Sequence, residues 1–484
     1  MKSINTNKYK RPVKYDKIPL KLLHNKGEYH MFTGLKYQLE LTDTLIDDIL
    51  PQDNELIKLK KVLNWKAINK IYKECFPSRR GRGSKKTDIA LGLLILKHLY
   101  KKSDRSLVRD LHLNTSYMHF CSLSYDEVLA VNRAGKQVID SSTLAKIRAR
   151  LGADRLEKIN ALVISDLISK KIIDGKILLT DTTALEKNIA YPTEVALLSR
   201  VIKEAAAVAQ NVKHKKDIAL TKALAKAKQI SKIYYSCSKK TKKLLETCTE
   251  KLLSVAKDEI NSAALAVNDM AETMSETTLA RFKKLQSTGA KIISQVEDKL
   301  KGSPASKRIV SYHEQDVAAL PKSRPGHARC AFGAKLSLSV SANGYVTDHF
   351  LYDRNIADVD TLREVIEKHK EAFGKKFKAA TADRAYYDKD LIEELERQYN
   401  ITLAIAHKKR KDFAMSNKRK LLYRKRSAIE AKISEGKRMT GLSKSYYKGF
   451  IGDRMWTGLS VLALNLRQLL KDMARQPQLI YRFG

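Results

Sequence analysis

The chain has 484 residues, 43% of them apolar, which is enough to fill the cores of two or three domains and too much for a disordered tail. Its 93 Lys and Arg against 53 Asp and Glu leave a formal charge of +40, far beyond what solubility requires, so a polyanion, and nucleic acid first, is the expected partner. No apolar run follows the basic N-terminus, and the longest such run, residues 89 to 96, is too short to cross a bilayer. A cytoplasmic protein with direct access to DNA, as in a bacterial cell, is therefore expected.

Residues 1 to about 60 carry few period signals. From Thr87, a candidate N-cap, the sequence predicts a mostly buried helix. Ser103 is placed to cap a second with Leu107, Val108 and Leu111 inside, and a third begins near Ser141 or Ser142. Short capped helices behind the basic loop SRRGRGSKK suit a helix-turn-helix module or a plain helical bundle. In the first case Arg79, Arg80 and Arg82 would meet DNA. Residues 1–165 are the expected all-α N-terminal domain, for DNA binding or dimerisation. Five cysteines, at 75, 121, 237, 248 and 330, form no C-x-x-C pair and read as small buried hydrophobes.

At residues 177 to 181 the pattern changes to a short apolar run, ILLTD, which predicts a buried strand delivering Asp181 at its C-terminal edge. Residues 193–304 then hold helical spacing with almost no glycine or proline, as expected of long helices folded back on one another. This is an insertion that could serve as scaffold, dimer contact or DNA cradle. Strand signals return on both sides of Asn343-Gly344, a hairpin turn pair, and Asp358 can cap the helix that follows. A small-residue strand ending in Asp383, a helix near 388 to 398, and a strand at 401 to 406 complete the series. The order is that of an α/β fold, a ribonuclease H-like mixed sheet flanked by helices and interrupted after its first strand. Residues 170–192 and 305–475 are its expected extent.

Residues 407 to 426 contain ten Lys or Arg and one acid, Asp412, a density whose self-repulsion phosphates would relieve. They lead into residues 421 to 439. If this stretch is one helix, Tyr423, Arg426, Glu430 and Lys437 fall on one narrow face, a carboxylate beside three groups suited to phosphate oxygens. Two aspartates at strand ends and a glutamate from a later helix can converge at one sheet edge. Three such carboxylates repel unless cations bind between them, and their hard oxygens suit Mg²⁺ or Mn²⁺. Two ions about 3.5 to 4 Å apart would activate a water or a 3′-hydroxyl for in-line displacement.

The spacing Tyr423, two residues, Arg426, three residues, Glu430, six residues, Lys437 resembles the Y-(2)-R-(3)-E-(6)-K signature of DDE transposases of bacterial insertion sequences. DTTALEKNIAYPTEVALL around Asp181, ATADRAYY around Asp383 and SDRSLVRDL through STLAKIRARLG look like the same family. The resemblance implies that Asp181, Asp383 and Glu430 bind two catalytic metal ions and that Tyr423, Arg426 and Lys437 hold phosphates of double-stranded DNA at the transposon end. It implies a homodimer on DNA, binding of terminal inverted repeats, cleavage, and joining of the 3′-hydroxyl to target DNA. Alternatives are a metal-dependent nuclease of the same fold and a non-catalytic DNA-binding relic. The long insertion after the first strand departs from relatives that carry theirs before the glutamate helix, so contacts made through those insertions do not transfer. Among competing residues, Glu186 reads as a helix or loop carboxylate and Asp348 and Asp353 belong to the hairpin. His327 and His349 read as structural, Arg384 as an ion-pair or phosphate group, and Trp456 as core.

Overall fold

The computed structural model describes residues 50–77, 84–213, 218–237, 241–269, 274–303, 308–321, 330–407 and 415–483. Arg79, Arg80, Arg82, His327 and the basic run at 408–414 lie outside them.

Among the described residues seven helices precede the sheet: α1 (Glu55–Val62), α2 (Trp65–Lys73), α3 (Thr87–Leu99), α4 (Asp104–Leu111), α5 (Thr115–Phe120), α6 (Tyr125–Arg133) and α7 (Ser141–Ser169). Ser103 caps α4 as predicted, accepting a hydrogen bond from the Ser106 N–H at 3.1 Å. Thr87 does not cap α3. It is the first helical residue, behind an N-cap at Lys86, and its hydroxyl donates to Asn69 Oδ1 at 2.5 Å. The α7 span is two helices meeting at Gly152, whose φ of 69° a residue with a Cβ would adopt only under strain.

A seven-stranded mixed sheet follows, made by β1 (Ile177–Lys187), β2 (Ala318–Pro321), β3 (Cys330–Ser341), β4 (Val346–Tyr352), β5 (Ala379–Thr381), β6 (Thr402–Ala404) and β7 (Lys444–Ser445). Strand β3 pairs antiparallel with β1, β2 and β4. On its other side β1 runs parallel to β5, and β5 parallel to β6, while β7 pairs the far end of β1. The hairpin forms where Asn343-Gly344 predicts it, but as a three-residue loop, 342 to 344, in which only Gly344, φ 88°, is left-handed. The expected strand at 177 to 181 is too short: β1 continues to Lys187, because β3 supplies a partner from Leu178↔Ser341 through to Glu186↔Gly333. Asp181 thus sits mid-strand, and Glu186, expected in a helix or loop, is a strand residue.

Between β1 and β2 lie α8 (Glu194–Lys213), α9 (Ile218–Ser236), α10 (Lys242–Asp269), α11 (Glu276–Lys284), a π-helical turn (Leu285–Gly289) and α12 (Ala290–Leu300). They enclose a core of their own that includes Leu198, Val201, Ile202, Leu252, Leu285 and Ile292. Helices α13 (Asp358–Phe373), α14 (Lys389–Tyr399), α15 (Asn417–Arg424), α16 (Ser427–Met439) and α17 (Gly449–Arg475) complete the fold. Helix α17 is buried along most of its length and packs on α3, α7, β4 and α16, so one apolar core runs from the N-terminal helices to one face of the sheet. Asn465 of α17 brackets the edge strand, accepting from the Val346 N–H and donating to its carbonyl, both at 2.8 Å. Trp456 is core, its Nε1–H donating to the Gly441 carbonyl at 2.8 Å.

Candidate active site

The site is built from the register of two parallel strands. Leu179 of β1 stands opposite Thr381 of β5. Two positions further along each chain come Asp181 and Asp383, and Asp383 keeps extended angles, φ −68° and ψ 161°. With side chains alternating at every residue, equal offsets place both carboxylates at one level on one face. Burial pushes the Asp181 carboxyl up to about 6, and repulsion from Asp383 and Asp358 acts in the same direction against the Thr182 N–H, which donates to its Oδ1 at 2.8 Å.

Over these strands comes the stretch 421 to 439. It is not one helix: α15 ends at Arg424 and α16 starts at Ser427, with Lys425 and Arg426 linking them at right-handed helical angles. The break shifts the register little, because both linking residues stay in the α region. Leu422 and Ile429 anchor the two helices inward. Arg426 is the hub: its Nη1 donates to Glu430 Oε1 at 2.6 Å, lies 3.8 Å from Asp383 Oδ1, and its guanidinium sits 5.6 Å from the centre of the Tyr423 ring. Burial lowers the Arg426 pKa, but the Glu430, Asp383 and Tyr423 neighbours outweigh it and hold the guanidinium above its ordinary range. Arg426 therefore links Asp383, Tyr423 and Glu430 directly, and its charge also reaches Asp181. Lys437 lies about 10 Å further along α16 from Glu430, in a crevice lined also by Ala184, Glu186, Ser443 and Tyr446.

At Gly436 of α16 a Cβ would meet Leu442 Cδ1 at 2.7 Å and Leu464 Cδ2 at 3.3 Å, so a larger residue would have to push two buried leucines aside.

The opposite face of β1 holds a group the sequence did not reveal. Asp358 was expected to cap α13. Instead Ala357 is the N-cap, and Asp358 Oδ1 accepts from the Thr182 hydroxyl at 2.5 Å and from Lys335 Nζ at 2.7 Å. Lys335 also donates to the Ile356 carbonyl at 2.6 Å. A charged partner and a hydroxyl outcompete the capping N–H groups, and the result ties α13 to the strand that carries Asp181. No local pattern signals this triad.

Asp348 and His349 lie in a different cleft, of about 810 Å³, between α7, β4 and α13. Burial there raises Asp348 to about 6 and lowers His349 to about 4, so the histidine is neutral at physiological pH. Asp353 and Arg384 are exposed.

Among the described residues no three His, Cys, Asp or Glu side chains stand close enough together to hold a metal ion, and Arg426 stands between Asp383 and Glu430. The donor types nevertheless fit a hard divalent cation: the carboxylates are oxygen donors, and the repulsion felt at Asp181 is what a cation would relieve.

Residues 44–150 match the family described as Transposase domain (DUF772), and residues 304–466 match the family described as Transposase DDE domain. Together the two matches support a DDE transposase of an insertion sequence. Asp383, Tyr423, Arg426, Glu430 and Lys437 fall inside the second, whereas Asp181 and the helical insertion fall between the two. A curated protein of Rhizobium meliloti, "Uncharacterized protein ORF8 in nfe locus", is 26% identical over 160 residues, 32% of this chain and 73% of that protein. No solved structure matches the chain. Among the described residues no helix is long and apolar enough to cross a membrane.

Proposed function

We propose that this chain is a DNA transposase that binds the terminal inverted repeats of its own element, cuts at the element's ends and joins the freed 3′-hydroxyl to target DNA. The observation that carries this reading is the shared β1–β5 level of Asp181 and Asp383 with Arg426 and Glu430 reaching over it. The strand order β4, β3, β1, β5, β6, antiparallel on one side of β1 and parallel on the other, supports a ribonuclease H-like architecture for residues 170–192 and 305–475, entered by a helical insertion at 193–304. The helices of residues 1–165 are the DNA-binding or dimerisation unit, with Arg79, Arg80 and Arg82 meeting the duplex. Two paired ends need two sites, so the DNA-bound form is a homodimer.

In this reading Asp181, Asp383 and Glu430 would hold two Mg²⁺ or Mn²⁺ ions. Bound ions supply activation of the attacking hydroxyl and stabilisation of the leaving oxygen in an in-line displacement at phosphorus. Tyr423, Arg426 and Lys437 orient the DNA: a guanidinium and an ammonium oppose phosphate oxygens, and the phenol donates to one. Arg426 has two roles in turn. Without DNA it neutralises Glu430 and Asp383, and on binding it turns its donors to a phosphate.

The test incubates the protein with Mg²⁺ and a target plasmid, once with an intact end of its own element and once with a pre-cleaved end, then maps the cut and joined products. Joined products are expected from the wild type, and Asp181→Ala, Asp383→Ala and Glu430→Gln should each lower cleavage and joining by at least about a thousandfold. Wild-type activity in any of these variants would remove that residue from the site. Cleavage without joined products would make the chain a nuclease.

A further inference from the structure

The helical insertion meets the sheet across a second cleft, of about 780 Å³. Its walls are the segment after β1 at 188–192, helices α8 and α11, the returning chain at 310–314, and the start of α17. Four cations line it: Lys187, already held by Glu314 and Asp453, and Arg200, Lys284 and Lys448 from three further segments. Burial, then Arg200, with Lys284 and Lys448 behind it, holds the His313 imidazole below its ordinary range against the pull of Glu204. Glu204 is already shared by Arg200 at 2.7 Å and Arg281 at 2.8 Å. Among the described residues Lys284 and Lys448 have no carboxylate partner, and Lys284 Nζ stands 5.7 Å from the centre of the Tyr312 ring.

Tyr312 is the second, independent observation. It is 3% exposed and lines the cleft, yet its buried hydroxyl has no hydrogen-bond partner. A buried donor without an acceptor costs free energy unless a ligand supplies one, and the surrounding cations specify an anionic one.

The cleft adjoins the crevice at Lys437, on the side of β1 away from Asp181. Tyr446 lines both it and the crevice that contains Lys437, and β1 runs from Asp181 to Lys187 at its edge, about 20 Å at roughly 3.3 Å per residue. Tyr191 and Tyr446 leave 68% and 62% of their surface exposed at the mouth. Cations with open aromatic faces suit a sugar-phosphate strand with bases better than an isolated phosphate.

We propose that this cleft binds a phosphodiester of the DNA strand leaving the catalytic site, with Arg200, Lys284 and Lys448 as counter-charges and the Tyr312 hydroxyl donating to a phosphate oxygen. The insertion is then part of the DNA-binding surface and not only a brace. This rests on the DNA-processing reading above.

The experiment measures binding of the full chain to a labelled duplex carrying the element's end and flanking DNA, by fluorescence anisotropy over a salt series. Lys284→Ala with Lys448→Ala should make the slope of log K against log salt shallower by about 1.8, near 0.9 per lost contact. Lys284→Arg with Lys448→Arg should keep the wild-type slope. Tyr312→Phe should weaken binding about tenfold at fixed salt with no loss of thermal stability, because its hydroxyl has no partner inside the protein. Wild-type slope and affinity in the double alanine variant, with DNA still bound, would overturn this site and leave the transposase reading standing. Saturable binding of inorganic phosphate, lost in that variant while DNA affinity stays, would mark a free-anion pocket and also overturn it. A wild-type chain that binds no duplex would take both readings down.

Discussion

Asp181 shows what a buried carboxylate beside another costs in stability. Its carboxyl is pushed up to about 6 in the folded chain, from an ordinary value of 3.8, by burial first and then by repulsion from Asp383 and Asp358. A raised pKa means the folded state binds the proton more tightly than the unfolded one. Its contribution is therefore complete at acidic pH, below the unfolded value, and is lost as pH rises through about 6. Asp181→Asn removes the charge while keeping the shape. Without divalent ions, the variant should be more stable than the wild type above pH 7, by on the order of 2 kcal/mol, and the difference should vanish below pH 4. Urea unfolding at a series of pH values reads this directly. A variant less stable than the wild type at pH 8 would mean that the carboxylate is favourably held, contrary to its surroundings.

At the scale of elements, the far end of β1 is fastened by a buried charge cluster. Lys187 is 3% exposed at its side chain, with its Nζ 2.7 Å from Asp453 Oδ1 and 3.2 Å from Glu314 Oε2, and it donates to the Gly449 carbonyl at 3.1 Å. It joins β1, the chain returning from the insertion, and the first turn of α17. Lys187→Met would leave two carboxylates facing each other in a poorly solvated place. Its cost should be about 3 to 5 kcal/mol, with part regained on adding Asp453→Asn, as measured by denaturant midpoints. A loss below about 1 kcal/mol would show that the cluster is solvated after all. No reading of the sequence could find it, since the partners stand far apart along the chain and nothing local distinguishes Lys187 from other lysines. What was legible had local causes: the Asn343-Gly344 hairpin, the Ser103 cap, and the small-residue strand before Asp383 are each set by nearby residues. What was misread depended on partners. The length of β1 is set by β3, and Asp358 is drawn from its capping role by Lys335 and Thr182. The spacing of Tyr423, Arg426 and Glu430 survived the helix break because Lys425 and Arg426 keep helical angles.

At the scale of the whole molecule, the insertion has its own apolar core, while the N-terminal helices share theirs with the sheet. Its two ends also meet: Glu194 at the start of α8 pairs with Lys299 at 2.6 Å and with Arg308 beyond the end of α12. A short Gly/Ser linker can therefore bridge 194 to 308 without pulling β1 from β2 and β3. Removal would strand Ile309 and Tyr312, which pack on the insertion core, at a cost of about 3 kcal/mol. It would leave the strand register that sets Asp181 beside Asp383 untouched, because every pairing of β1 is with β3, β5 or β7. The excised chain should unfold in one cooperative transition and keep the pH behaviour of Asp181. Its DNA binding should lose salt dependence by about 0.9 for each of the two insertion cations, Arg200 and Lys284. Calorimetry and the same anisotropy series measure both. Absence of a cooperative transition would mean that the insertion and the sheet fold as one unit. An unchanged slope in a folded excised chain would return the insertion to the role of a brace.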